Sequence, residues 1–292
     1  MRIGIYGRSF DDSFIPNIQV LFNTLNVYGW EVCIYEPFMS FLEPRISMEV
    51  EPQLFKKHQD VRNNIDVLIS IGGDGTFLET IHIVRDSGIP ILGVNTGRLG
   101  FLASTSKENI KSSLQDIKEG RYRLQTRSLL KLVTEENLFG EDNFALNELT
   151  VHKKETSSMI TIHTYIGDLY LNSYWADGLI VATPTGSTAY SLSCGGPIMV
   201  PGVRDHVITP IAPHNLNVRP VVVPDSRTIR LKIEGRGRNY LCSLDSRSVT
   251  IDSAIELVLQ KAEFEINVIQ TEGQNFLNTI RNKMMWGLDR RN

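Results

Sequence analysis

The chain has 292 residues, of which 41% are hydrophobic and 22% charged, an ordinary composition for one large or two medium globular domains. Its formal net charge of -3 does not indicate a surface for nucleic acid or for an anionic membrane, so we expect neither partner, and no apolar run approaches the roughly 18 residues of a membrane-spanning helix. Three widely spaced cysteines favour neither a disulfide framework nor a zinc motif, and we therefore expect a cytoplasmic protein.

The first part of the chain alternates predicted strands and helices. Apolar runs predict strands at 3–6, 32–35, 67–71 and 89–94, and the first of these indicates a strand rather than a signal peptide. Helical spacing of apolar residues predicts helices at 14–25, 77–84 and 110–117, and each is followed by a glycine that can end it. Residues 36–64 show no clean period. The alternation predicts a parallel sheet covered on both faces.

The pattern changes near residue 121. From there to about residue 270, turn residues separate short β-type runs at 129–133, 149–152, 160–165, 179–182, 221–223, 229–233 and 264–269. We therefore expect an α/β domain over 1–122 and a mostly antiparallel all-β domain over 123–271. Residues 272–292 are expected to form a C-terminal helix, centred on 274–286, that packs on the first domain.

The turn after the third predicted strand is the most informative segment. It contains Gly72, Gly73, Asp74, Gly75 and Thr76. Successive glycine amides form a concave donor surface for phosphate oxygens, and the following helix adds the positive end of its dipole. A carboxylate here is suited to take a proton from a hydroxyl or to hold a metal-bound water. The same residues also make an ordinary turn, and they match neither a Walker loop nor a dinucleotide fingerprint.

Two shorter segments are also candidates for ligand binding. The loop at 95–102 follows the fourth strand, and its Phe101 is suited to stack on a base, although a core phenylalanine in a plain connection would look the same. Asn147 and Glu148 together offer the donors and acceptors that hold the two hydroxyls of a ribose, although a solvated turn is an alternative.

A dense fourth segment runs from Ala176 to Pro197. A short strand leads into small and hydroxyl-bearing residues, which allow a ligand to lie against the backbone. Asp177 can accept a hydrogen bond from an amide or an exocyclic amine, and Tyr190 offers a flat face and a hydroxyl. Plain surface turns can share this composition.

Together these four segments resemble the NAD kinase family, over about residues 66–224. The Gly-Gly-Asp-Gly-Thr turn is shared with diacylglycerol and sphingosine kinases and with 6-phosphofructokinases. The stretches Asn-Thr-Gly-Arg-Leu-Gly-Phe-Leu, Asn-Glu and Asp-Gly-Leu…Thr-Pro-Thr-Gly-Ser-Thr-Ala-Tyr…Gly-Gly-Pro are similar to NAD kinases in particular. The resemblance implies phosphorylation of the 2′-hydroxyl of the adenosine ribose of NAD by ATP, which gives NADP.

The resemblance also implies roles for individual residues. Asp74 would be the general base, and Gly72, Gly73 and Gly75 would line the phosphate-donor side. Asn147 and Glu148 would hold ribose or adenine groups. The remaining contacts to the dinucleotide would come from Asp177, Thr188, Ala189, Tyr190, Ser191, Leu192 and Ser193. The divalent metal, Mg²⁺ by preference, would arrive bound to the nucleotide rather than on protein side chains, and the subunits would form a homodimer or a homotetramer.

The chain departs from the family pattern in three places. Trp175 stands where an arginine is common, two residues before the aspartate of the fourth segment, and Asp245-Ser246-Arg247 stands where Asp-Gly-Gln is common. Because tryptophan makes no bidentate contact to phosphate, we hypothesise that Arg247 supplies the missing charge and binds substrate. Glu79 occupies a position that is often basic.

Two other functions are consistent with the glycine turn alone. A lipid kinase would need an apolar cleft for an acyl chain and would not need the fourth segment. A non-catalytic regulator would bind NAD without turnover, and the presence of Asp74 argues against it.

Overall fold

The α/β first part and the β-rich second part both appear in the computed structural model, which describes residues 1–97, 100–154, 159–235, 237 and 239–285. Contacts within the chain divide it into two units. Unit 1 holds Met1–Thr126 and Ile266–Asn292, and unit 2 holds Arg127–Glu265. The domain limits expected at 122 and 271 stay a prediction.

The first part of the chain contains five strands and five helices among the described residues. In order these are β1 (Arg2–Gly7), α1 (Ile15–Val27), β2 (Glu31–Tyr35), α2 (Glu36–Leu42), β3 (Gln53–Phe55), α3 (His58–Val61), β4 (Val67–Ile71), α4 (Asp74–Val84), β5 (Ile91–Val94) and α5 (Ile110–Lys118). The segment 36–64, which has no clean period, holds α2, β3 and α3. Each of these has seven residues or fewer, too few to show a helical or strand repeat.

The rest of the chain is mostly strand. The elements are β6 (Tyr122–Val133), β7 (Phe144–Ala145), β8 (Glu148–Lys153), β9 (Ile160–Ile166), β10 (Leu169–Ala176), β11 (Gly178–Ala182), α6 (Tyr190–Ser193), β12 (Asp205–Ile211), β13 (Val221–Pro224), β14 (Ile229–Glu234), β15 (Asn239–Leu244), β16 (Arg247–Asp252), β17 (Leu257–Thr271) and α7 (Phe276–Met284). The predicted terminal helix is therefore present as α7, and Trp286 lies outside the described residues.

The sheet of unit 1 is parallel, as the alternation predicts. Its strands lie in the order β3-β2-β1-β4-β5, and Val268 of β17 pairs with Ile91 at the β5 edge. Every residue of β4 and β5 is buried, which is typical of parallel strands covered on both faces. Helices α1 and α5 contribute apolar residues at helical spacing to the core that contains β4 and β5.

Unit 2 is built from antiparallel strands. Six of them form a sheet in the order β13-β12-β11-β8-β15-β16, and the strands β10, β9 and β14 pair with one another and with the first residues of β17. The core of the unit contains two fully buried tyrosines, Tyr174 and Tyr240, among aliphatic side chains. The predicted fold class, a parallel α/β part with an antiparallel β part and a terminal helix, is confirmed. Strand β8 lies in the middle of its sheet and carries Glu148 at its first position.

Candidate active site

The turn between β4 and α4 contains one glycine that no other residue can replace and two glycines with free space around them. Gly72 has φ +154°, and a Cβ atom there would lie 2.3 Å from the Thr76 hydroxyl oxygen, so only glycine fits. Its N–H donates to the carbonyl of Val94 at 3.0 Å, which ties the turn to β5. A Cβ atom at Gly73 or Gly75 would meet no described atom within 4 Å. The predicted donor side therefore leaves the backbone of both glycines accessible to a ligand.

Three successive backbone amides hold the Asp74 carboxylate. Its Oδ2 accepts from the Phe101 N–H at 2.8 Å, and its Oδ1 accepts from the N–H groups of Leu102 and Ala103, each at 3.0 Å. These bonds fix the orientation of the carboxylate at the first residue of α4. Among the described residues Oδ2 accepts a single bond, and a carboxylate oxygen has two acceptor positions. One position on Oδ2 therefore stays available for a hydroxyl.

Gly100 is required for this arrangement, because a Cβ atom there would lie 1.8 Å from the Asp74 Oδ1. We expect Gly100→Ala to displace the carboxylate and to lower turnover at this site by about 10²-fold, the cost of a misplacement of about 1 Å. The matched control is Gly97→Ala, since a Cβ atom there meets no described atom within 4 Å. Equal turnover in the two variants, measured by initial rates, would contradict the requirement.

Phe101 packs against the terminal helix. Its ring centroid lies 6.2 Å from that of Phe276, and the Lys283 Nζ lies 4.6 Å above the ring. Gln274, just before α7, donates to the carbonyl of Ser104 at 3.3 Å and so ties the same loop to the end of the chain. Phe101 is half-buried, so part of its surface stays accessible. Its predicted stacking on a base stays a prediction.

In unit 2, Asp245 repeats the arrangement seen at Asp74. Its carboxylate accepts from the N–H groups of Leu146 at 2.9 Å, Asn147 at 2.8 Å and Glu148 at 3.2 Å. Burial raises the pKa of Asp245, although the three amide donors act in the opposite direction. Asp245 and Ser246 form the two-residue turn between β15 and β16, and Asp245 has φ +51°. The backbone of the Asn147-Glu148 pair is therefore fixed by a residue about a hundred positions later.

The Glu148 side chain is a buried acceptor. It is 8% exposed, and its Oε2 has no hydrogen-bond partner in the part of the chain that the structure describes. Burial, and then the charge of Asp245, raises the pKa of Glu148 to about 8, while the Tyr190 amide lowers it. An unpaired buried oxygen is costly unless a ligand supplies a donor. The position therefore suits a donor such as a ribose hydroxyl, and the predicted contact of Glu148 to ribose or adenine groups stays a prediction.

Asp177 is already engaged by a lysine. Its Oδ1 lies 2.5 Å from the Lys153 Nζ, and its backbone N–H donates to the carbonyl of Ile211 at 3.0 Å. The half-buried carboxylate keeps a second oxygen, so the predicted contact to the dinucleotide stays a prediction.

The residues 188–193 differ in their access to solvent. Tyr190 and Ser193 are exposed, and Thr188, Ala189 and Leu192 are half-buried. Ser191 has 0% exposed surface, and its hydroxyl lies 2.8 Å from that of Thr209. This side chain therefore anchors α6 to β12, and its predicted contact to the dinucleotide stays a prediction.

Arg247 contacts backbone carbonyls and aromatic rings. Its two terminal nitrogens donate to the carbonyls of Asp142 and Phe144, and its Cζ lies 5.7 Å from the Phe139 ring centroid. These contacts give Arg247 a structural role. The hypothesis that its charge compensates for Trp175, which is 49% exposed, stays a prediction.

We expect Arg247→Ala to lower the free energy of unfolding by about 1.5–3 kcal/mol, because hydrogen bonds from a charged group are lost. Urea unfolding of the purified variant measures this effect. If Arg247 also binds the substrate that the resemblance implies, the KM for that substrate rises, and an unchanged KM would show that the compensation hypothesis is wrong. Arg230→Ala is the matched control for the KM, because its guanidinium also donates to a carbonyl of unit 2, that of Gly167. It should lower stability in the same way and leave the KM unchanged.

Glu79, at a position that is often basic, is neutralised by a neighbour. Its Oε2 lies 2.5 Å from the Arg8 Nε and 3.2 Å from the Tyr6 hydroxyl. Burial and the charge of Glu79 raise the pKa of Tyr6, so the phenol stays protonated and donates. The Arg8–Glu79 pair therefore adds no net charge beside α4, and it joins residues 71 positions apart, a contact that sequence spacing does not reveal.

Sequence reasoning also missed His152 and Lys153, which lie opposite the Asp177-Gly178 pair. The only available signal was the position of both residues at the end of a predicted strand.

Over the described residues, no helix has the length and hydropathy needed to cross a membrane. Within the same residues, no group of three or more His, Cys, Asp or Glu side chains is arranged to hold a metal ion.

Comparison with known proteins agrees with the motifs. The model of the ATP-NAD kinase N-terminal domain matches residues 42–122, and that of the ATP-NAD kinase C-terminal domain matches residues 146–271. The chain is 50% identical over 294 residues to an NAD kinase from Flavobacterium psychrophilum and 47% identical over 293 residues to one from Cytophaga hutchinsonii. Both alignments cover 100% of each chain.

Two solved structures share the fold. An NAD kinase from Archaeoglobus fulgidus in complex with ATP is 25% identical, with a TM-score of 0.74 over 98% of this chain and 99% of that one. Yeast NADH kinase complexed with NADH is 24% identical, with a TM-score of 0.86 over 98% of this chain and 88% of that one, which shows likeness of fold alone. The resemblance drawn from the four segments is confirmed, and the chain belongs to the NAD kinase family of phosphotransferases.

Proposed function

We propose that this protein transfers the γ-phosphoryl group of ATP to the 2′-hydroxyl of the adenosine ribose of NAD, which gives NADP and ADP. The observation that carries the proposal is the Asp74 carboxylate, fixed by three amides beside two glycines with open surroundings. Relatives that cover the whole chain are named NAD kinases, and the Archaeoglobus fulgidus protein binds ATP in its crystal. Both findings support the choice of donor and acceptor.

Asp74 acts as the general base in this proposal. A secondary hydroxyl is a weak nucleophile and needs a base within hydrogen-bond reach. The 2′-oxygen forms a bond to the γ-phosphorus as the bond from that phosphorus to the bridging oxygen breaks, and ADP leaves. The hydroxyl proton passes to the free acceptor position on Oδ2. The amides of Gly73 and Gly75, at the first turn of α4, lie near the charge that develops on the phosphoryl oxygens.

The divalent metal, Mg²⁺ by preference, is brought by the nucleotide in this proposal. Mg²⁺ prefers oxygen ligands and is commonly held by one or two carboxylates together with substrate phosphates. In this proposal the phosphates of ATP would supply the oxygen ligands, because the one free acceptor position on the Asp74 Oδ2 is taken by the 2′-hydroxyl. When bound, the metal neutralises charge on the phosphates.

The adenosine part of NAD is held by residues of unit 2. The buried Oε2 of Glu148 and the side chain of Asn147 receive ribose or adenine groups. Asp177 and residues 188–193 contact the rest of the dinucleotide. Glu148 supports this assignment, because an acceptor without a partner in the described part of the fold gains a hydrogen bond when the ligand binds.

We further propose a homodimer or homotetramer in the cytoplasm. The exposed side chains of Leu216 and Trp175 give unit 2 apolar surface for a second copy. The cysteines Cys33, Cys194 and Cys242 are free, which suits a reducing compartment. Analytical ultracentrifugation tests the assembly.

The decisive experiment measures NADP formation from NAD, ATP and Mg²⁺ by the purified protein, with an NADP-specific dehydrogenase as the readout. NADP formation that depends on ATP supports the proposal. NAD binding without NADP formation would favour a regulator. Phosphorylation of the hydroxyl group of diacylglycerol or sphingosine, instead of NAD, would favour a lipid kinase.

A further inference from the structure

The exposed side chain of Tyr190, in the candidate site, is held by the side chain of His152. Tyr190 is 38% exposed, and its hydroxyl oxygen lies 3.1 Å from the Nε2 of His152. The two rings are nearly parallel, with an angle of 9° between their planes and 5.9 Å between their centroids. The hydrogen bond and the parallel packing together restrict the rotation of the Tyr190 side chain.

The position of His152 is itself fixed by the neighbouring strand. His152 on β8 pairs with Gly178 on β11, and a Cβ atom at Gly178 would lie 2.3 Å from the Val151 carbonyl oxygen and 3.3 Å from the His152 Cγ. Glycine at this position therefore leaves room for the imidazole. The adjacent residues, Asp177 and Lys153, form the 2.5 Å ion pair. The Asp-Gly pair of the fourth segment thus meets a His-Lys pair of β8.

Burial favours a neutral ring for His152. Burial lowers the pKa of His152, the charge of Asp177 acts in the opposite direction, and the charge of Lys153 lowers the pKa a little further. A neutral imidazole has one donor and one acceptor nitrogen, so it can share a hydrogen bond with the Tyr190 phenol without carrying a charge.

We propose that His152 is a positioning residue for dinucleotide binding, which fixes the plane of the Tyr190 ring so that its exposed face receives a planar ring of NAD. The inference rests on the proposed function, because it takes the ligand of Tyr190 to be the dinucleotide. A side chain that is already ordered loses less rotamer freedom when a ligand binds. His152 therefore acts on affinity for NAD and takes no part in phosphoryl transfer.

A double-mutant cycle tests this role. The variants are His152→Phe, which keeps a flat ring but loses the hydrogen bond, Tyr190→Phe, which removes the hydroxyl alone, and the double variant. We expect each single change to raise the Kd for NAD about 3- to 10-fold, as for one hydrogen bond. The Kd of the double variant for NAD should not exceed the higher Kd of the two single variants, because both changes remove the same hydrogen bond. In His152→Phe the KM for NAD should rise far more than the kcat measured at saturating NAD falls, because the histidine acts on binding and not on phosphoryl transfer.

His163→Phe is the control for loss of a hydrogen-bonded histidine elsewhere in unit 2. Its Nδ1 lies 2.6 Å from the Ser173 hydroxyl and its Nε2 lies 3.0 Å from Glu234, and its loss should leave the Kd for NAD unchanged. Calorimetric titration with NAD measures the Kd, and thermal unfolding reports the folding of each variant. If His152→Phe unfolds, Tyr190→Phe still measures the same bond.

The outcomes separate the two proposals. An unchanged Kd for NAD in the single variants, or additive losses in the double variant, would overturn the positioning role even if the wild type forms NADP. A wild type that binds NAD without forming NADP would overturn the proposed function, while a raised Kd in both single variants would still support the role of His152.

Discussion

Asp74→Asn is expected to lower the kcat for NADP formation by about 10²- to 10⁴-fold, the range for loss of a general base. The asparagine amide takes no proton from the 2′-hydroxyl. Its NH2 group would also face at least one of the three N–H donors of residues 101–103, since a carboxamide has one acceptor oxygen. Initial rates with saturating NAD and ATP measure the effect. The Kd for NAD should change little.

Loss of rate alone does not separate a base from an anchor, because Asp74 serves as both. Hydrogen–deuterium exchange of the amides at 101–103 reports the anchoring, and we expect faster exchange in Asp74→Asn. Asp245→Asn is the matched control, since it makes the same change in the other three-amide arrangement. It should speed exchange at 146–148 and raise the KM for NAD. An Asp74→Asn variant with a kcat near that of the wild type would remove Asp74 from the role of base.

Glu148→Gln is expected to change how stability depends on pH. The pKa of Glu148 is about 8 in the folded protein against an ordinary 4.5, so between these values the folded state holds a proton that the unfolded chain releases. The contribution of this group to stability is therefore fully present below about pH 4.5 and is lost as the pH rises through about 8. Burial also raises the pKa of Asp245, so this carboxyl adds to the loss of stability with rising pH.

The wild type should lose up to several kcal/mol of unfolding free energy relative to Glu148→Gln across this window, at about 1.4 kcal/mol per pKa unit. Urea unfolding at about pH 5 and about pH 9 measures the difference. Glu135→Gln, at an exposed position of the same unit, should follow the wild type at both values. Equal pH dependence in the wild type and Glu148→Gln would mean that Glu148 ionises in the fold as it does in water.

Sequence patterns predict most of the architecture because the signals involved are local. Continuous apolar runs mark β4 and β5, since parallel strands are buried on both faces. Gly88 ends the short 3-10 turn Arg85–Ser87 that follows α4, and its φ of +74° is a conformation that glycine adopts without strain. The elements at 36–64 were not predicted, because each is too short for a period to appear.

The contacts that shape the candidate site are not local, and this is why they were missed. The Asp245 carboxylate reaches amides 97–99 positions earlier, and His152 meets a tyrosine 38 positions later. Such pairs depend on strand register and on turn geometry, which no window of the sequence encodes. Asp177, Ser191 and Arg247 show the same limit. The sequence around each residue does not reveal the partners that its side chain contacts in the fold.

The two three-amide arrangements also determine which substitutions the chain can accept. Asp74 and Asp245 each bind peptide N–H groups, which nineteen of the twenty amino acids supply. The partner positions Leu102, Ala103 and Leu146 are therefore free to vary in any side chain that their packing allows, with proline excluded because it lacks the N–H. The acceptor positions have no such freedom. Sequence variation at these sites should therefore be one-sided, with each aspartate retained while the residues it holds drift.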